Sequence, residues 1–140
     1  MILLDTDHLT ILQTPDAARR PLLVARLAVA VGEVVGTTIV NVEEQMRGWM
    51  ASIAKERQPG RQVRSYLRLK GLFRFFAGFH IAEFDAPSAG LFAATGATGV
   101  GVMDRKVAAI TLANDALLLT ANRKDFGRIP GLRFENWMDA

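Results

Sequence analysis

Cysteine is absent from the chain, which excludes disulfide staples, thiolate zinc sites and cysteine nucleophiles and sits easily with a reducing cytoplasm. No charged segment leading into an apolar stretch opens the sequence, so no signal peptide is expected. A membrane-length apolar run is missing as well. The longest uncharged stretch, Ala86 to Met103, is broken by Pro87, Gly90, Gly96, Gly99 and Gly101 and is marginal in length for a bilayer. There are no internal repeats, low-complexity tracts or linkers. The expectation is a soluble, cytoplasmic protein with no membrane partner, folded as a single domain over residues 1–140.

What is present supports a real core. Half of the 140 residues are apolar, as in ordinary globular proteins. The net charge of +3 is unevenly spread. Between residues 55 and 74, Lys55, Arg57, Arg61, Arg64, Arg68, Lys70 and Arg74 face Glu56 alone, so that stretch carries +6 and the remainder −3. A basic segment on a mildly acidic body suits a polyanion-binding face beside a metal-binding centre.

Apolar and β-branched runs alternate with helical periodicity along the chain. Ile2-Leu3-Leu4 reads as a first strand, Thr37 to Val40 as a second, Phe79 to Phe84 as a third, Ala116 to Thr120 as a fourth and Leu132 to Phe134 as a short last one. Helices are expected from His8 to Leu12, from Pro21 to Val31, from a cap at Asn41 to about Lys55, after Pro59-Gly60, from a start at Asp85 through Ala94, and from Arg105 to about Ala113. After Pro59-Gly60, Val63, Leu67 and Tyr66 are assigned inward and Arg61, Arg64 and Arg68 outward. A glycine-rich loop, Gly96 to Val102, delivers Asp104. This alternation predicts an α/β fold, a three-layer α/β/α sandwich around a parallel sheet of four to five strands.

Three acids stand where such a sheet gathers its sites, at the carboxyl edge. Asp5 ends the first strand, Glu44 lies in the first turn after the second, and Asp104 begins the helix before the fourth. Carboxylates at these positions suit Mg2+ or Mn2+, which take hard oxygen ligands and keep several waters, and such an ion activates water against a phosphodiester. Each acid also has a plainer explanation. Asn41 and Glu44 fit the Asn-x-x-Glu form of a capping box. Asp104 favours a helix N-terminus through the macrodipole. Asp7 fits a cap for the helix beginning near His8, and His8 fits a packing residue better than a base. The joint placement of Asp5, Glu44 and Asp104 is the stronger signal.

The residues also resemble a family. Leu3-Leu4-Asp5-Thr6-Asp7-His8-Leu9 resembles the opening of PIN-domain proteins, specifically VapC-type toxins. Val42-Glu43-Glu44-Gln45-Met46-Arg47-Gly48 is similar to their second motif, a glutamate four residues before a glycine, which selects Glu44 over Glu43. Met103-Asp104-Arg105-Lys106-Val107-Ala108-Ala109 is similar to their Asp-x-x-Ile-Ala-Ala segment. Leu119-Thr120-Ala121-Asn122-Arg123-Lys124-Asp125-Phe126, then Ile129-Pro130-Gly131-Leu132 and Trp137, resembles their tail. The match runs through nearly the whole chain in order. It implies a PIN-like sandwich, metal-dependent cleavage of single-stranded RNA with Mg2+ or Mn2+, a small antitoxin partner and a homodimer. Asp5, Glu44 and Asp104 would then be both catalytic and metal-holding, with Thr6, Asp7, Thr120, Asn122 and Asp125 in support.

The chain departs from that pattern at Asn122, where many members carry a fourth acid. An amide oxygen brings no negative charge. Neighbouring Asp125 compensates or is a simple turn residue, so a three-acid site is expected. Arg61, Arg64 and Arg68 form a helical stripe for RNA, a solvated face, or a seat for an acidic antitoxin segment; on single strands the salt slope is about −0.7 per phosphate engaged. Phe73, Phe75, Phe76 and Phe79 read as core or dimer interface. Two rivals stand beside the nuclease. One is a PIN-like RNA-binding or scaffold module with a degenerate site. The other is a haloacid-dehalogenase-like phosphatase, whose motif wants a threonine two residues after the second aspartate, where this chain has Leu9 and only then Thr10.

Overall fold

The centre of the molecule is β1 (Ile2–Leu4), three consecutive apolar residues with no exposed side chain. In a strand successive side chains point to opposite faces, so a run apolar at every position must be covered on both. Leu3 faces one core with Val107, Ala108, Ile110, Leu118 and Phe126, while Ile2 and Leu4 face another with Leu9, Leu23, Leu72, Phe76 and Leu119. The structure, a computed structural model, describes residues 1–96 and 98–140. Ala97, inside the loop expected from Gly96 to Val102, lies outside the described residues.

After β1 come α1 (Thr6–Leu12), α2 (Arg20–Val29), β2 (Val35–Thr38), α3 (Ile39–Lys55), α4 (Pro59–Phe76) and β3 (His80–Ala82). Then follow α5 (Ala86–Ala94), α6 (Val102–Ala113), β4 (Leu117–Leu119), α7 (Arg123–Phe126) and β5 (Phe134–Glu135). The sheet has five strands in the order β3-β2-β1-β4-β5, every pair parallel. The expected α/β class and parallel sheet are therefore present. Every strand delivers its carboxyl end to the same edge, so Asp5, Thr38 and Thr120 emerge side by side. Among the described residues no helix is long and apolar enough to cross a membrane.

Two local expectations fail, each for a definable reason. The second strand ends at Thr38 rather than Val40, and α3 starts at Ile39. Thr38 is the N-cap: its Oγ1 accepts the backbone N–H of Asn41 at 3.2 Å. Asn41 is thus a fully buried residue of the first turn and not a cap. In α4, Val63, Tyr66 and Leu67 are exposed rather than inward. The first half of α4 meets α3 through polar groups, with Ser65 Oγ 2.9 Å from Ser52 Oγ and Gln62 Nε2 donating to the carbonyls of Ile53 and Glu56. Only the second half, at Leu72 and Phe76, enters the apolar core. The helix start expected at Asp85 is correct: its Oδ1 accepts Ser88 N–H at 3.0 Å and Ser88 Oγ–H at 2.7 Å.

Gly36 shows how tightly the sheet is built on the β3 side. A Cβ added there would overlap the carbonyl oxygen of His80 on the paired strand. Gly48, within α3, has open space around it. Gly36→Ala is therefore expected to lose about 1–3 kcal/mol of stability by overpacking. Gly48→Ala is expected to gain roughly 0.5–1 kcal/mol through helix propensity. Urea denaturation of the two variants checks both signs.

Candidate active site

Asp5 leaves β1 at the N-terminal boundary of α1, yet its side chain does not cap that helix. It turns instead across the sheet edge. Oδ1 accepts Asn41 Nδ2 from α3 at 2.8 Å, and Oδ2 accepts Thr120 Oγ1, just beyond β4, at 2.8 Å. The carboxylate is buried, and two neutral donors from the flanking crossovers hold it in one orientation. Burial, and then the charge of Asp7, push its carboxyl above the ordinary range, against the hydrogen bonds that pull it down.

Glu44 lies one helical turn beyond Asn41 on α3. Its Oε2 accepts the hydroxyl of Thr6 at 2.8 Å, while the same Oγ1 accepts Asn41 Nδ2 at 3.1 Å. Glu44 therefore bonds across to α1, and the capping-box explanation for it lapses with Asn41's loss of the cap position. Asn41 Oδ1 in turn accepts Thr38 Oγ1–H at 2.7 Å. One amide thus touches Asp5, Thr6 and Thr38 at once. Sequence reasoning missed this role, since an asparagine after a strand reads equally well as a cap.

Asp104 stands in the first turn of α6, half-buried. Its carboxyl is pushed up to about 6, first by burial and then by the charges of Asp5, Glu44, Asp125 and Asp7. Asn122 is the N-cap of α7; its Oδ1 accepts Asp125 N–H at 3.3 Å. Its Nδ2 reaches Asp125 Oδ2 at 3.1 Å and Asp104 Oδ2 at 3.5 Å. Asp125 thus sits beside Asp104 as one more acid of the group.

Asp7 is not a helix cap. Burial pushes its carboxyl up, but hydrogen bonds from His8 and from Ala121 N–H outweigh that and leave it below the ordinary range. Oδ1 lies 2.6 Å from His8 Nδ1, and Oδ2 accepts Ala121 N–H at 2.8 Å. His8 is fully buried, and its Nε2 accepts the backbone N–H of Trp137 at 3.2 Å. With Nε2 an acceptor, the ring proton sits on Nδ1 and is donated to Asp7. Asp7 and His8 together pin α1 to the C-terminal segment.

Asp5, Glu44, Asp104, Thr6, Asp7, Thr120, Asn122 and Asp125 are all brought to one edge. Arg61, Arg64 and Arg68 are not; they are exposed on α4, where Arg68 borders a cleft with Thr10, Thr14 and Trp49. Among the described residues no three acidic or histidine side chains converge closely enough to enclose a cation. The donor set is nonetheless all hard oxygen, and burial with neighbouring negative charge raises Asp5 and Asp104. That suits an ion bound through few direct ligands with water completing its shell.

No protein-family model and no curated protein matches the chain significantly. Solved structures do. One chain of VapBC-1 from nontypeable Haemophilus influenzae is 17% identical with a TM-score of 0.79, the match covering 99% of this chain and 100% of that one. VapBC2 from Rickettsia felis, bound to a DNA fragment from its promoter, gives 22% identity, TM-score 0.73 and coverage of 98% and 99%. A toxin-antitoxin complex from Klebsiella pneumoniae gives 19%, 0.64, and 94% and 95%. The chain therefore has the fold of these toxin-antitoxin chains over its whole length.

The burial of Asp104 among other acids has a measurable consequence. Because Asp104's folded pKa of about 6 lies above its ordinary 3.8, the folded state holds its proton more tightly than the unfolded chain does. Stability is therefore lost as pH rises from about 3.8 to about 6 and stays lost above. In metal-free buffer, Asp104→Asn should raise the melting temperature more at pH 7.5 than at pH 4.5. Thermal melts at those two pH values decide it; an equal shift at both would show that Asp104's charge does not carry the cost.

Proposed function

We propose that the chain is a metal-dependent endoribonuclease that hydrolyses phosphodiester bonds of single-stranded RNA, and that it is the toxin of a VapBC-type pair. The observation that carries this reading is the linked set Asp5–Asn41–Thr6–Glu44, with Asp104 electrostatically coupled to it, at the carboxyl edge of a sheet with the VapC-like fold. In this reading Asp5 and Asp104 hold Mg2+ or Mn2+, directly or through water, and Glu44 completes the acidic pocket. The ion would supply charge neutralisation at the phosphate and a more acidic water.

The chain's own residues supply orientation and proton handling. Thr120 and Asn41 fix the Asp5 carboxylate from two sides, and Thr6 fixes Glu44. One of the acids at this edge would take the proton from the attacking water. The water oxygen bonds to phosphorus as one ribose–oxygen bond to it breaks. Asn122 contributes N–H donors where an acid would add charge. That feature lends support to the second reading, an RNA-binding module with little turnover.

The partners follow the same reasoning. The neighbouring structures are complexes, which supports a small antitoxin partner acting in the cytoplasm. An exposed apolar patch on α3 and α4, Met50, Val63, Tyr66, Leu67 and Phe73, supports a homodimer.

Incubated with single-stranded RNA and Mn2+, the protein should cut internally, stop on adding chelator, and lose at least about a hundredfold in rate on Asp5→Asn. RNA bound but never cut in saturating Mn2+ would favour the module instead. Separately, the Leu67→Glu, Phe73→Glu double variant should run as a monomer in light-scattering chromatography, whereas the unaltered chain runs as a dimer.

A further inference from the structure

The acidic site ends at Asn122, and the next residue, Arg123, opens onto a depression that the chemistry above leaves unused. β4 and β5 leave the sheet side by side, with Leu119 paired to Glu135. The segments that follow them line an open cleft of about 910 Å³, closed on its far side by Arg26 of α2. That volume falls within the roughly 300–1,000 Å³ typical of ligand sites. Phe134, Glu135, Trp137, Asp139 and Ala140 line it together with the two arginines.

The charges are arranged unequally. Among the described residues Arg123 has no ion-pair partner, and Arg26 makes one long hydrogen bond, 3.4 Å, to the Asn136 carbonyl. The acids are engaged already. Glu135 accepts the indole N–H of Trp137 at 2.6 Å, while Asp139 meets Arg19 at 3.4 Å and Asn136 Nδ2 at 2.9 Å. Two guanidinium groups are left to act beside a half-buried indole whose edge is fixed.

That indole is rigidly joined to the acidic site. Trp137 N–H donates to His8, His8 to Asp7, and Asp7 accepts Ala121 N–H, one residue before Asn122. A strand crossing the acids at this edge would run directly into the cleft. An aromatic face offers sequence-tolerant stacking to a base, and guanidinium offers forked hydrogen bonds to a phosphate. We propose that the cleft is a nucleotide subsite. A nucleotide of single-stranded RNA next to the scissile phosphate stacks its base on Trp137 and places its phosphate between Arg123 and Arg26. The assignment rests on the ribonuclease reading for what lies next to it.

The test measures binding apart from cleavage. In an Asp5→Asn background with chelator, a fluorescently labelled single-stranded RNA oligonucleotide is titrated and followed by anisotropy at several salt concentrations. Adding Arg26→Gln and Arg123→Gln should weaken binding at least about tenfold and reduce the salt slope by roughly 0.7, the contribution of the one phosphate they hold. Trp137→Ala should weaken it about tenfold, and Trp137→Phe should restore most of the loss. Should Trp137→Ala fail to fold, the arginine pair carries the test alone. Unchanged affinity and slope in the arginine pair would overturn the subsite, even if cleavage by the unaltered chain proceeds. Absence of cleavage in the unaltered chain, with the arginine effect intact, would overturn the nuclease reading and leave the cleft as a nucleic-acid site.

Discussion

The carboxylate of Asp5 is held almost dry at the end of the most deeply buried strand, and much of the surrounding structure compensates for the water it has lost. An ionised carboxylate in such a place needs hydrogen-bond donors with no alternative partners. Asn41 and Thr120 make their shortest donations to it: both are fully buried, and both come from chain segments that leave neighbouring strands of the same sheet. The position of Asn41 depends on Thr38 ending β2 and capping α3, and that of Thr120 depends on the β1–β4 register. The acid thus ties three strand ends to one another. Any shift of register at the centre of the sheet would leave a buried charge without its donors.

How much of this was legible in the sequence varied with how local the determining interaction was. The unbroken apolar run of β1, the alternation of strands and helices, and the cap at Asp85 are each decided by neighbours a few residues away, and each is found as expected. The start of α3 was decided by a competition that sequence cannot rank. Thr38 and Asn41 both make good caps, and the outcome depends on Asp5, a residue distant in sequence, claiming the Asn41 amide. Asp7 was misassigned for the same reason, because its partners Ala121 and His8 are set by the C-terminal segment. In α4 two stripes compete. Residues 62, 65, 69, 72 and 76 form the inward one, but its first half is polar, so the apolar Val63, Tyr66 and Leu67 seemed the better candidates.

The candidate site also illustrates why function and stability pull apart. Five acids, Asp5, Asp7, Glu44, Asp104 and Asp125, act on one another at this edge, and Asp104 takes most of the strain. Nothing in the fold requires so much negative charge there. Asp7 is offset by His8 and a backbone N–H, and Glu44 by a hydroxyl, whereas Asp104 has only a long contact from Asn122. Burial and the neighbouring charges therefore fall most heavily on Asp104.

Asn122 sharpens that argument. Replacing it with an acid would set another negative charge beside Asp104 and Asp125, raising the cost of ionising Asp104 further while strengthening the pull on a cation. The amide does the reverse: it donates to both carboxylates, caps α7 through Asp125 N–H, and lowers the repulsion without adding a ligand charge. The same short helix begins with Arg123, which lines the adjoining cleft. Within two residues the chain passes from moderating an acidic cluster to lining a cleft of mixed charge, in which Arg26 and Arg123 stand among Glu135 and Asp139.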